Sequence, residues 1–231
     1  MATSGSIDFT VKGSQIVEDA LIEVGAYDTD ETVKQKDLEL CLRRLNIMVK
    51  SWNNRPHMHL RKDVTITLTP GTQSYTWGSG GVITDDRPTR IVTARRVDSA
   101  GTNEVPIDVV ARSEYKDLPT KATEGPPNLI HYDPQLELGV LFVWPTGDTG
   151  TPTIICETQR QVEDFDAKTD NPDFPKEAYL ALYLNLAVNI ARAFGRTASQ
   201  TLVMDAKSAY NEWLEHDEDQ TSFFIIPSNR R

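Results

Sequence analysis

The side chains in this sequence that could do chemistry are few. His57 and His59 form a His-x-His pair in a segment that reads as loop. Two histidines with no third ligand at a recognisable spacing do not make a zinc motif, so no metal is expected there. Asp164, Asp166, Asp170 and Asp173 crowd one acidic stretch. It fails the calcium-loop pattern, because Lys168 takes the fifth position and no central glycine follows. The run Trp77-Gly78-Ser79-Gly80-Gly81 is glycine-rich, but no Lys-Ser/Thr follows and no helix begins there. It is not a phosphate loop. No Gly-x-Ser-x-Gly occurs, and neither Cys41 nor Cys156 sits in a nucleophile motif. The expectation is no catalytic residue, no cofactor and no bound metal.

The elements that hold these residues follow hydrophobic period. Ile16, Val17, Ala20, Leu21 and Val24 make one helical stripe over about residues 13–24, with Gly25 past its end. Asp28, Thr29 and Asp30 offer caps for a second helix. Its stripe is Leu38, Cys41, Leu42, Leu45, Met48, Val49 and Trp52, and Pro56 forces it to stop near residues 53–55. Strand period takes over at Val64, Ile66 and Leu68. Further strands are expected at 91–97, 105–110, 129–132, 138–144 and 153–158, with Pro70-Gly71 as a turn. Residues 111–118 read as loop or a single helical turn. Helical period returns at Pro175, a favourable first-turn residue. From 178 to 194 the helix is apolar almost all round, with Asn185, Asn189 and Arg192 on one face, and such a helix must be covered on most sides. Thr197 or Ser199 can cap a last helix carrying Leu202, Ala206, Ala209, Tyr210, Trp213 and Leu214.

Composition fits this order. Of 231 residues 39% are hydrophobic and 25% charged, enough for a packed core. No stretch is long and apolar enough to span a bilayer, and residues 1–10 lack a secretory pattern. Two cysteines fit a reducing compartment. The formal net charge of -10 argues against wrapping DNA, which asks for a basic surface.

The fold class expected is therefore α+β: a four-helix bundle built from both chain ends, with an inserted β-rich module and an extended C-terminal arm. The divisions are 1–60 for the first helical hairpin, 61–172 for the β module, 173–216 for the second hairpin and 217–231 for the arm. The arm follows an acidic stretch, 216–220, and carries Phe223, Phe224, Ile225 and Ile226. Four bulky apolar residues so near a terminus either fold back on the chain's own core or dock on a partner.

Three stretches together resemble the head-to-tail connector (adaptor) proteins of short-tailed bacteriophages, the tail accessory or packaged-DNA stabilisation type. The first runs from Ser14-Gln15-Ile16-Val17 through Val24-Gly25-Ala26 to Met48-Val49-Lys50-Ser51-Trp52. The second is Gly125-Pro126-Pro127-Asn128-Leu129-Ile130-His131-Tyr132-Asp133, continuing to Leu141-Phe142-Val143-Trp144-Pro145. The third is Phe174-Pro175-Lys176-Glu177-Ala178-Tyr179 to Ile190-Ala191, then Phe194-Gly195. Cys41 and the 223–226 tail match no part of the pattern.

The resemblance implies a non-enzymatic virion protein at the portal vertex, assembled in the host cytoplasm into a dodecameric ring. Its partners would be the portal protein, the tail nozzle or tail tube, and further copies of itself. Packaged DNA would pass through without sequence-specific contact, and no membrane is involved. It also implies that a C-terminal segment, here about residues 216–231, reaches the portal; within it the apolar residues Phe223, Phe224, Ile225 and Ile226 are the expected portal-binding arm. Leu45, Trp52, Tyr183, Leu186, Ile190 and Trp213 are the expected bundle and subunit packing residues. Two other readings stay open: a head-completion or tail-tube component of a long-tailed phage, and a cell-wall or polysaccharide hydrolase using carboxylates in 163–173.

Overall fold

Helices form where the period is 3.6 and strands where it is 2, in the order the sequence requires. The structure is a computed structural model and describes residues 3–150 and 153–217. Among them lie α1 (Gly13–Glu23), α2 (Gln35–Trp52), β1 (Arg61–Thr67), β2 (Ser74–Trp77), β3 (Arg90–Val97) and β4 (Glu104–Val109). Then come α3 (Arg112–Lys116), β5 (Leu129–Asp133), β6 (Gly139–Trp144), β7 (Thr153–Gln159), α4 (Tyr179–Ala191) and α5 (Gln200–His216). The fold is α+β, as expected. Two compact units divide it. A helical unit holds the described residues up to Asn46, then His57–His59, and those from Phe165 onward; a strand unit holds Ile47–Pro56 and Leu60–Asp164.

In the helical unit α4 is the centre. It buries Ala181, Leu182, Leu184, Leu186, Ala187, Ile190 and Ala191, and α1 and α5 both pack on it. Asn185 is the polar tie: its amide donates to the Ala181 carbonyl within α4 and to the Ala206 carbonyl of α5, both at 2.9 Å. A one-turn 3-10 extension carries α4 to Gly195, which ends it in the left-handed conformation at φ 67°. Ser199 caps α5 by accepting the Leu202 N–H at 3.1 Å.

Two expectations change here. The second helix starts at Gln35, not at a cap in 28–30, because Asp28 instead closes a turn by accepting the Glu31 N–H. The four-helix bundle is not what the structure shows. Close helix packing is α1 and α5 on α4, while α2 makes its ties by side-chain reach. Arg44 donates to the Asn189 carbonyl at 2.7 Å. Asn46 holds the Phe165 backbone by both its N–H (2.9 Å) and its carbonyl (3.0 Å). Phe165 is buried. Gly13 sits at this junction, where a Cβ would meet the side chains of Phe165 at 3.0 Å and Leu42 at 3.3 Å.

The strand unit is one seven-stranded curled sheet, in the order β1-β7-β3-β4-β5-β6-β2. All pairings are antiparallel except β4 with β5, which α3 connects. Its two outermost strands, β1 and β2, are neighbours in sequence, so the sheet has to curl to bring its ends together. Tyr75 pins that turn: its hydroxyl accepts the Thr69 N–H at 2.8 Å. Every strand sends residues into one interior, including Val64, Tyr75, Ile91, Ile107, Ile130, Leu141 and Ile154. β2 is the strand the sequence reading passed over; four residues between turn signals carry too little alternation to register.

Tyr132 crosses that interior. Its ring stands edge-on to Trp77 at 5.8 Å, and its hydroxyl donates to the Pro88 carbonyl at 2.9 Å. Gly139 makes the room, since a Cβ there would overlap the Tyr132 hydroxyl and ring. Gly139→Ala should lower the unfolding free energy by about 1–3 kcal/mol in a urea titration, the usual cost of overpacking. An unchanged midpoint would show that the slot is not filled this way. Both thiols are fully buried, and burial pushes Cys41 up to about 11 and Cys156 up to about 12. A thiol reagent should therefore label neither in the native protein at pH 8 and both in denaturant; fast native labelling would contradict the packing.

Candidate functional site

The strongest convergence of polar side chains involves a residue no motif pointed to. After α2 the chain turns at Asn54-Arg55, passes Pro56 and presents His57 and His59 two residues apart. Asp217 is the C-cap residue of α5, its own N–H bonded back to Trp213 and Leu214. A carboxylate at a helix C-terminus faces the negative end of the helix dipole, which costs stability unless donors offset it. Here the donors converge. His57 Nδ1 lies 3.0 Å and His59 Nδ1 3.2 Å from Asp217 Oδ2. The Met58 N–H donates to Oδ2 and the His59 N–H to Oδ1, each at 3.2 Å. A carboxylate only accepts, so both rings carry their proton on Nδ1 in this arrangement.

An aromatic wall encloses the group. Trp213 stacks on His57 at 4.8 Å with the planes 20° apart, and His59 leans on Trp213 and Phe174. His57 is buried, and the Asp217 side chain is only 8% exposed. Burial moves the His59 pKa below the ordinary imidazole value, and this outweighs the opposing pull of the Asp217 carboxylate.

The expected packing residues fall in different places. Leu45, Leu186, Ile190 and Trp213 are buried, while Trp52 and Tyr183 are half-buried. Trp213 is both core and part of the histidine wall. Phe223, Phe224, Ile225 and Ile226 lie outside the described residues. The acidic stretch does structural work: Asp164 pairs with Lys50 at 3.0 Å, and Asp170 accepts the Ala167 N–H at 2.7 Å. The glycine run forms a tight turn after β2, the Gly78 and Ile83 main chains bonding at 2.9 Å. No spacing rule could have linked Asp217 to His57 across 160 residues; the only local signal was an acid just past a helix end, where the dipole disfavours it.

The SU10 adaptor protein family model matches residues 14–222. That span takes in both helical ends and the whole sheet.

The chain belongs to the SU10 adaptor protein family.

Membership supports a structural protein of the phage head-to-tail adaptor kind. None of the curated proteins matches the sequence. Among solved structures, a chain described as "Neck of empty GTA particle computed with C6 symmetry" is similar over 83% of this chain and 94% of its own, at 12% identity. Its TM-score of 0.29 is too low to carry any argument.

Asp217→Ala would leave two main-chain N–H groups and two imidazoles without their acceptor. It should lower the stability of the protein by about 1–3 kcal/mol in thermal or denaturant melts. An unchanged melting curve would show that the group contributes nothing to the fold.

Proposed function

We propose that this chain is one subunit of a dodecameric adaptor ring beneath the portal of a short-tailed phage. It extends the DNA channel, helps retain packaged DNA and offers the platform on which the tail nozzle or tail tube attaches. It works as a structural element without catalysis. The observation that carries this reading is the family match across residues 14–222.

The physics of the helical unit is compatible with it. Ring subunits need apolar surface on both flanks for their neighbours. Leu180 of α4 is 46% exposed, and Val203 and Met204 of α5 are 44% and 63% exposed. Leu180 also lines an open groove of about 400 Å3, together with Glu23, Tyr183, Asp205 and Glu212 among others. Tyr183, expected from sequence as a packing residue, lines that groove. The net charge of -10 suits a conduit wall that DNA slides past. The arm with Phe223, Phe224, Ile225 and Ile226 is the portal-binding element in this reading.

Asp217 sets where that arm can be cut. Deleting residues 218–231 spares the Asp217 bonds, whereas deleting from 217 removes them. The 1–217 chain should keep its circular dichroism and melting temperature yet lose co-sedimentation with assembled portal rings. Portal binding undiminished in 1–217 would refute the role of the arm. A 1–217 chain that melts markedly lower would favour the arm folding back on its own unit.

A further inference from the structure

The group at the end of α5 has the make-up of a metal site. His57, His59 and Asp217 each offer a ligand atom, and these atoms all lie within 4.8 Å of one another. In tetrahedral coordination, bonds of about 2.0–2.1 Å put ligand atoms roughly 3.3 Å apart. The observed separations from Asp217 Oδ2 to the two Nδ1 atoms are 3.0 and 3.2 Å. Those two edges are close to tetrahedral, and the two imidazoles need only close on each other from within 4.8 Å to complete the set.

We propose that His57 Nδ1, His59 Nδ1 and the Asp217 carboxylate bind one divalent transition-metal ion of the Zn2+ class. Water fills the fourth position. Two imidazoles and one carboxylate are a donor set that favours zinc over calcium or magnesium, which take oxygen ligands. Binding moves the proton of each imidazole from Nδ1 to Nε2; no bond to carbon is made or broken.

The surroundings support a built site. The Met58 and His59 N–H groups hold one carboxylate oxygen each, fixing the orientation of the ligand from outside the coordination shell. Trp213 and Phe174 fix the rings and form an apolar shell. The side chains of His59 and Asp217 keep 17% and 8% exposure, so an ion has a way in. The ion would tie the segment after α2 to the end of α5, immediately before residue 218. This inference stands apart from the adaptor reading and survives its failure.

The test uses the full chain, free of any histidine tag, stripped with a chelator and reloaded with Zn2+ or Co2+. One Zn2+ per chain should survive desalting and raise the melting temperature. Co2+ should give visible absorption of tetrahedral strength. Asp217→Asn and His59→Gln should each weaken Zn2+ binding by at least about tenfold, since even outer-shell changes cost that much. His216→Gln and His131→Gln, the other two histidines of the chain, should bind as the parent does. Less than stoichiometric retention, or an octahedral Co2+ spectrum, overturns the proposal. So does full binding by Asp217→Asn. If the ligand variants unfold, the Co2+ spectrum and the zinc stoichiometry of the parent chain decide alone.

Discussion

Helix α4 cannot stand in water, and the helical unit is arranged around that fact. Seven of its residues are buried. Burying a single Leu or Ile side chain is worth about 1.5–3 kcal/mol, so exposing the Leu and Ile of this face would cost an amount comparable to the whole net stability of a domain. α1 and α5 cover it along their lengths. Asn185 satisfies the one polar position that must be enclosed, by bonding to a carbonyl on each side of the contact. Apolar side chains that stay exposed on the same helices include Ile22, Leu180, Val203 and Met204. In an assembling protein those positions are the place for a neighbour.

The strand unit solves a different problem. A seven-stranded sheet has two edges, and exposed edges invite unwanted pairing. Curling places β1 and β2 at the two ends of one short connection, and all seven strands share one interior. That interior leaves little slack. Tyr132 fits only because residue 139 has no side chain. Lys62 and Asp63 on β1 put charges on one outer strand, in ion pairs with Asp85 and Arg95, which also discourages edge pairing.

Much of this was legible in the sequence. The hydrophobic periods located α1, the body of α2, α4, α5 and six of the seven strands, because each buries one consistent face. The misses have physical causes. Asp28 and Thr29 look like caps, but a tight turn uses Asp28 before the helix begins. The expected four-helix bundle is not shown: α1 and α5 pack on α4, whereas α2 is tied in by side chains such as Arg44 and Asn46, and local period does not specify which helices meet. His57 and His59 looked like an incomplete ligand pair, and the third group came from the other end of the chain. Long-range convergence is what a linear pattern omits, and here it supplied the most organised polar group in the helical unit.

Family membership supports a structural protein of the head-to-tail adaptor kind, for which we propose a ring of copies. Electron cryomicroscopy of the assembled particle tests it most directly. The account requires density for this chain in a closed ring around the DNA channel, between portal and tail, with α4 and α5 facing the neighbouring copy. Density elsewhere in the particle, or single copies without ring contacts, would contradict it.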